Sequence, residues 1–118
     1  MLKIVKWAPS IILCGFIFYW SSVPGAEINS LQLGDETLHR VVHYSLFFLL
    51  CLFFYIPTKS FKKAVLLTIA YAFSDEFHQR YVPRRSSSLE DIYVDTFGAL
   101  SAAILWSTFQ TLYKKLKR

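Results

Sequence analysis

The residues able to do chemistry crowd into one stretch of the chain. Ser74-Asp75-Glu76-Phe77-His78-Gln79 is followed by Val82-Pro83-Arg84-Arg85-Ser86-Ser87-Ser88-Leu89-Glu90-Asp91 and then by Asp95 and Gly98. An apolar segment runs into this stretch from Ala64 and another leaves it from Ile92. Charge this dense, pressed against apolar sequence, sits at a membrane surface or lines a polar cavity. An ionisable group in such a place is a functional-site hypothesis by default.

Three chemistries are open to these residues. Arg80, Arg84 and Arg85 beside Ser86, Ser87 and Ser88, at the start of a helix, make an anion site in which free N–H groups, hydroxyls and guanidinium forks converge. His43, from an earlier segment, is a candidate general base or phosphoryl-transfer nucleophile. Asp75 or Asp95 would orient it, and Arg85 would hold a phosphate. His39 and His43 are four residues apart, hence on one helix face, and with Asp75, Asp91 or Asp95 they fit a metal shell. That third option rests on assumed proximity, so no metal is assigned, and the sequence names no cofactor. Each option has a plainer rival. The serines cap a helix, the arginines anchor at an interface, and His43 and the acids satisfy one another between helices because lipid cannot. No nucleophile motif is present. Cys14 and Cys51 lie in apolar runs without metal-type spacing and read as small buried hydrophobes.

The elements that must position these groups are four apolar segments, at about residues 4–22, 38–56, 62–79 and 91–113 of a 118-residue chain. One domain fits that length. The composition is 54% hydrophobic and 18% aromatic, richer than a small soluble domain can bury. The first segment, roughly 18 residues at 1.5 Å each, spans about 27 Å, close to the hydrocarbon thickness of a bilayer. Trp7 and Trp20 stand near its ends, as interfacial aromatics do. A cleaved signal peptide is the rival reading, but Pro24 is badly placed for cutting after Ala26, so the segment is read as retained. Pro24-Gly25 ends the first helix, Asp35 and Glu36 open the second, and Pro57 ends the second. Ser87-Ser88-Leu89-Glu90 and the register after it read as capping boxes for the fourth. Gly98, Ala99, Ser101, Ala102 and Ala103 allow close helix contact.

Net charge is +5, but its placement says more than its size. Lys3, Lys6, Lys59, Lys62, Lys63, Lys114, Lys115, Lys117 and Arg118 flank apolar segments, which argues against nucleic-acid binding and for cytoplasmic anchoring. With four spans both termini then lie in the cytoplasm. His39, His43, Asp75, Glu76, Gln79, Arg85, Asp91 and Asp95, drawn from three helices and a loop, come to the same outer level.

At these residues the chain resembles the VanZ-like family of small bacterial membrane proteins. Ser74-Asp75-Glu76-Phe77-His78-Gln79 is similar to that family's acidic motif ending in His-Gln. Val82-Pro83, Arg85, Ser86 and Ser88 match the loop after it, and Asp91, Asp95 and Gly98 match the opening of its last helix. Phe18-Tyr19-Trp20-Ser21-Ser22-Val23-Pro24-Gly25 resembles the end of its first helix. Asp35 and His39 resemble the entry to its second, with Glu36 where Lys is usual; Arg84 replaces the usual Gly. Either His39 or His43 fits the family histidine. The resemblance implies an integral protein of the bacterial cytoplasmic membrane and cell envelope. The family is named for a protein associated with low-level resistance to the glycopeptide teicoplanin, and no catalytic residues come with it.

The expectation is therefore an all-α, four-helix transmembrane bundle of one domain, with an outward-facing polar pocket. His39, Glu76, Gln79, Arg84, Arg85, Ser88 and Asp91 would bind a ligand; His43, Asp75 and Asp95 would be catalytic if the protein is an enzyme. The partners would be the lipid bilayer and a phospholipid or lipid-linked cell-wall precursor.

Overall fold

A computed structural model describes the backbone of residues 2–22, 36–81 and 89–117 and the side chains of residues 3–20, 38, 40–81 and 92–117. It is all-α. Among the described residues four helices follow one another: α1 (Leu2–Ser22), α2 (Glu36–Thr58), α3 (Phe61–Gln79) and α4 (Leu89–Leu116). Among the described residues three stretches are long and apolar enough to cross a membrane: Lys3–Trp20, Arg40–Thr58 and Ile92–Leu116. The 19 residues of α3 reach roughly 28 Å, but Lys62, Lys63, Asp75 and Glu76 keep its average polarity higher.

The α2–α3 corner differs from the expectation that Pro57 stops the second helix. Pro57 lies inside α2. A proline there forfeits one helical N–H bond, and the last turn is held by neighbours instead. The Thr58 hydroxyl donates to the Phe54 carbonyl at 2.7 Å, and the Lys59 N–H donates to the Tyr55 carbonyl at 2.8 Å. Lys59 ends the helix in the left-handed region at φ 54°, where helix C-termini usually place Gly. Ser60 caps α3 at once, its hydroxyl accepting from the Lys63 N–H at 3.3 Å.

Contacts between helices fix their order. Trp7 meets Phe54 edge-on at 6.2 Å, so α1 and α2 run in opposite directions. Tyr71 donates from its hydroxyl to the Cys14 carbonyl, and Phe18 stacks on His78 at 4.3 Å, so α1 and α3 run together. Gln110 Nε2 donates to the Tyr55 hydroxyl at 3.2 Å near one end of the α2–α4 pair, and His43 meets Asp95 near the other. The topology is up-down-up-down. Among the described residues α2 and α3 touch every other helix, whereas α1 and α4 do not meet.

Each helix turns one stripe inward. Among the described side chains the buried ones are Ser10, Leu13 and Ile17 on α1; His43, Phe47, Leu50, Cys51 and Phe54 on α2; Ala64, Thr68, Ala72, Asp75, Glu76 and Gln79 on α3; and Asp95, Gly98, Ala99 and Ala102 on α4. These spacings of three and four are one helical face. The opposite faces are apolar as well: Ile11, Ile12, Phe16, Leu66, Phe73, Phe97, Ile104 and Leu105 all point outward. In water that arrangement would be an aggregation liability; in lipid it is the ordinary exterior.

Small side chains decide the tightest crossing. A Cβ added at Gly98 would lie 2.6 Å from the Tyr44 carbonyl oxygen and 3.1 Å from the Phe48 backbone nitrogen. The backbones of α2 and α4 therefore approach through the space a side chain would take. Gly15, in contrast, has open space around it. Gly98→Ala should lower the detergent-solubilised protein's stability by about 1–3 kcal/mol, the usual range for overpacking, while Gly15→Ala should leave it unchanged or higher. Thermal unfolding of both variants checks this, and equal melting of Gly98→Ala and wild type would rule out the close crossing.

Candidate functional site

The buried stripes are not uniform along the bundle. At one end they are aliphatic, aromatic or small; at the other they carry His43, Asp75, Glu76, Gln79 and Asp95, each no more than 4% exposed. The polar groups come from α2, α3 and α4, and α1 closes on the same end through the Phe18–His78 stack.

The best-defined contact joins α2 to α4. His43 Nδ1 lies 3.0 Å from Asp95 Oδ1, with both side chains buried. With Asp95 ionised, a carboxylate only accepts, and the contact is then an Nδ1–H donation from His43 to Asp95 Oδ1. The His43 ring lies nearly parallel to that of Phe47, 6.0 Å away, which restricts its plane from beneath. Asp95 sits one turn before Gly98, and His43 immediately precedes Tyr44, so the pair stands at the close crossing itself.

Register places the acids of α3 at the same level. Phe47 and Tyr71 face each other at 6.1 Å across the antiparallel α2–α3 pair. One turn onward in each direction brings residue 43 opposite residue 75. Asp75, Glu76 and Gln79 then occupy neighbouring positions on the inward face of α3. His39 and Asp91 belong to the next turn toward the helix ends; their helical backbones are described, but their side chains lie outside the described residues, as do Arg84, Arg85 and Ser88 altogether. Arg80 is exposed at the end of α3. Among the described residues no three His, Cys, Asp or Glu side chains group closely enough to hold a metal ion.

Two positioning residues were not singled out from the sequence. Tyr71 ties α3 to α1 through the Cys14 carbonyl, one turn below Asp75. Its place four residues before Asp75, on the same face, was the available signal. His78 packs on Phe18 rather than joining the inward stripe; nothing in its spacing foretold an aromatic partner 60 residues earlier. A separate groove of about 290 Å³, lined by Trp106, Phe109, Gln110, Tyr113 and Lys114, lies toward the other end of α4, away from the polar layer.

Comparison with protein families bears on what this layer belongs to. The model of the VanZ/LLP1 family matches residues 6–110, nearly the whole chain. The chain belongs to the VanZ/LLP1 family. No curated protein and no solved structure matches it. Family membership together with three apolar spans makes this VanZ/LLP1 protein a multi-pass membrane protein. The matched region takes in all five residues of the buried polar layer.

Within a bilayer, burying ionisable groups is expensive, and such residues typically face the bundle interior and pair with one another. His43 and Asp95 do so. Removing one member of a buried pair commonly costs about 3–5 kcal/mol, so His43→Ala and Asp95→Ala should each lower stability on that scale. The double variant should lose less than the sum, with a coupling of about 1–2 kcal/mol. Denaturant unfolding of the four proteins in detergent measures the cycle, and strict additivity would show the two side chains to be uncoupled.

Proposed function

We propose that this VanZ/LLP1 protein works in the bacterial cytoplasmic membrane, with both termini in the cytoplasm and its polar layer toward the outer face. There it receives the headgroup of a phosphate-bearing lipid or lipid-linked cell-wall precursor, and so alters susceptibility to glycopeptides such as teicoplanin. The observation carrying this reading is the convergence of His43, Asp75, Glu76, Gln79 and Asp95, from three helices, into one buried layer at one end of an otherwise apolar bundle. Groups so costly to place in a membrane are retained where they serve a site.

In this reading Arg84, Arg85 and Ser88 take the phosphate, since guanidinium forks and a hydroxyl near a helix N-terminus suit an anion. Glu76, Gln79, His39 and Asp91 take the remaining polar groups of the headgroup. The lysines at both termini and in the α2–α3 corner support the orientation.

The His43–Asp95 contact favours a second reading, a membrane-embedded enzyme acting on the same headgroup. A carboxylate on Nδ1 orients the ring, and Nε2 would act as general base. Nε2 would take the proton of a hydroxyl attacking phosphorus and return it to the leaving oxygen as the phosphorus–oxygen bond breaks. Asp75 would complete the polar shell opposite.

Native mass spectrometry of the gently purified protein tests the site. Wild type should retain a phosphate-bearing lipid, and the Arg84→Ala/Arg85→Ala double variant should lose it; a bare wild type would remove the case for a preformed headgroup site. Asp95→Asn separates the two readings. In a teicoplanin-susceptibility assay on cells bearing the gene, full loss of effect at normal protein abundance favours catalysis, whereas an effect retained with lipid still bound favours binding alone. Orientation has its own check. A periplasm-active reporter fused at the C-terminus should be silent, and one that is active there would invert the assigned topology.

A further inference from the structure

Gln79 is 1% exposed, and its Nε2 makes no hydrogen bond. A buried donor in that condition is rare in a folded protein and calls for a specific explanation. Its neighbours suggest one. Gln79 lies four residues after Asp75 and three after Glu76, all three on the inward face of α3. Side chains at those spacings are about 5–6 Å apart at Cβ, a gap that one small polar atom bridges by hydrogen bonding to both sides.

The chemistry of the bridging group follows from what the two sides need. The amide N–H requires an acceptor, whereas an ionised Asp75 or Glu76 presents only acceptor oxygens to whatever lies beside it. A hydroxyl supplies an acceptor and a donor on one oxygen. An unprotonated phosphate oxygen can only accept, so it would satisfy Gln79 and bring negative charge beside the two acids. A bare ammonium can only donate, so it would leave Gln79 as it is. Resting on the headgroup reading above, we propose that the buried face of α3 recognises a hydroxyl-bearing part of the headgroup, a sugar or glycerol moiety. Gln79 is then the specificity residue, donating from Nε2 to a hydroxyl oxygen whose hydrogen goes to Asp75 or Glu76. Phosphate binding, where it occurs, belongs to the arginine loop and not to this face.

The assignment makes stability and binding move in opposite directions. Gln79→Leu removes a buried donor that the ligand-free protein leaves unsatisfied, so it should raise the melting temperature of the lipid-stripped protein. The same change removes the donor on which a hydroxyl depends, so retention of a hydroxyl-bearing lipid should fall about tenfold or more. Gln79→Met, unbranched like the native side chain, serves as a second variant should Leu misfit.

The experiment places the full chain in phosphatidylcholine nanodiscs doped with one of three probes: a monoglycosyl diacylglycerol, with hydroxyls and no phosphate; phosphatidylglycerol, with both; and phosphatidic acid, held at a pH where its phosphate is fully ionised, with phosphate and no alcohol hydroxyl. Retention is read by native mass spectrometry and stability by thermal unfolding. The expected result is that wild type keeps the first two probes, that Gln79→Leu and Gln79→Met lose them, and that any retention of phosphatidic acid is indifferent to position 79. Hydroxyl-bearing probes retained equally by wild type and both variants would overturn the inference while leaving the headgroup reading intact. So would a lower melting temperature in both stripped variants, because Gln79 would then be a structural residue. A wild type that retains none of the three probes, nor any phosphate-bearing lipid from the cell, would overturn the headgroup reading and this inference with it.

Discussion

The distance between α2 and α4 at Gly98 governs the polar end of this bundle. The space a Cβ would need there lies within 2.6 Å of the Tyr44 carbonyl oxygen, so only a residue without a side chain permits the crossing. Asp95 stands one turn from that point on α4, and His43 stands beside it on α2. Their 3.0 Å contact is short because the backbones are close. In a bilayer there is no water to hydrate a separated histidine and carboxylate. A crossing wider by the width of a methyl group would therefore weaken helix packing and strain the polar pair together.

The close crossing also explains how labour is divided among the helices. α1, α2 and α4 contain the stretches apolar enough to span a membrane. α3 carries Asp75, Glu76 and Gln79 on its inward face, with Ala64, Thr68 and Ala72 below them. Its outward face, with Leu66, Phe73 and Phe77, is as apolar as its neighbours'. A helix of this kind is stable in lipid only inside a bundle. Contacts with all three other helices, among them the Tyr71 hydroxyl on the Cys14 carbonyl and the Phe18–His78 stack, hold it there. Thr68 satisfies its own hydroxyl on the Ala64 carbonyl at 2.8 Å, so even the mildly polar part of the stripe makes no demand on lipid.

Chemistry and membership of the VanZ/LLP1 family meet at the same residues. The polar layer lies within the matched region, and it has the features expected of a site: buried titratable groups, a histidine oriented by a carboxylate, and an amide donor without a partner. The groove near Trp106 and Tyr113 has a different character, aromatic with one lysine and one glutamine, and it lies toward the opposite end of α4. Aromatic and lysine side chains near a span's end are ordinary interfacial anchors. The polar layer is thus the stronger candidate for function.

Much of this was legible in the chain itself. Four apolar segments separated by Pro24-Gly25, the lysine-bearing corner at residues 59–63 and the serine run predict four helices, and alternation of direction brings His43, Asp75 and Asp95 to one end whatever the packing. The small residues Gly98, Ala99 and Ala102 announced a close contact without naming its partner. What the sequence could not decide was pairing. Asp75 and Asp95 were equivalent orienting groups for His43; the fold sets Asp95 against its Nδ1. It also turned Gln79 into a buried donor and sent His78 to Phe18. The reason is geometric. Periodicity fixes which side of its own axis a residue occupies, but the rotation and axial shift of one helix against another are set by contacts between residues far apart in sequence. Here the governing contact is the one at Gly98, and it exists only once α2 and α4 have come together.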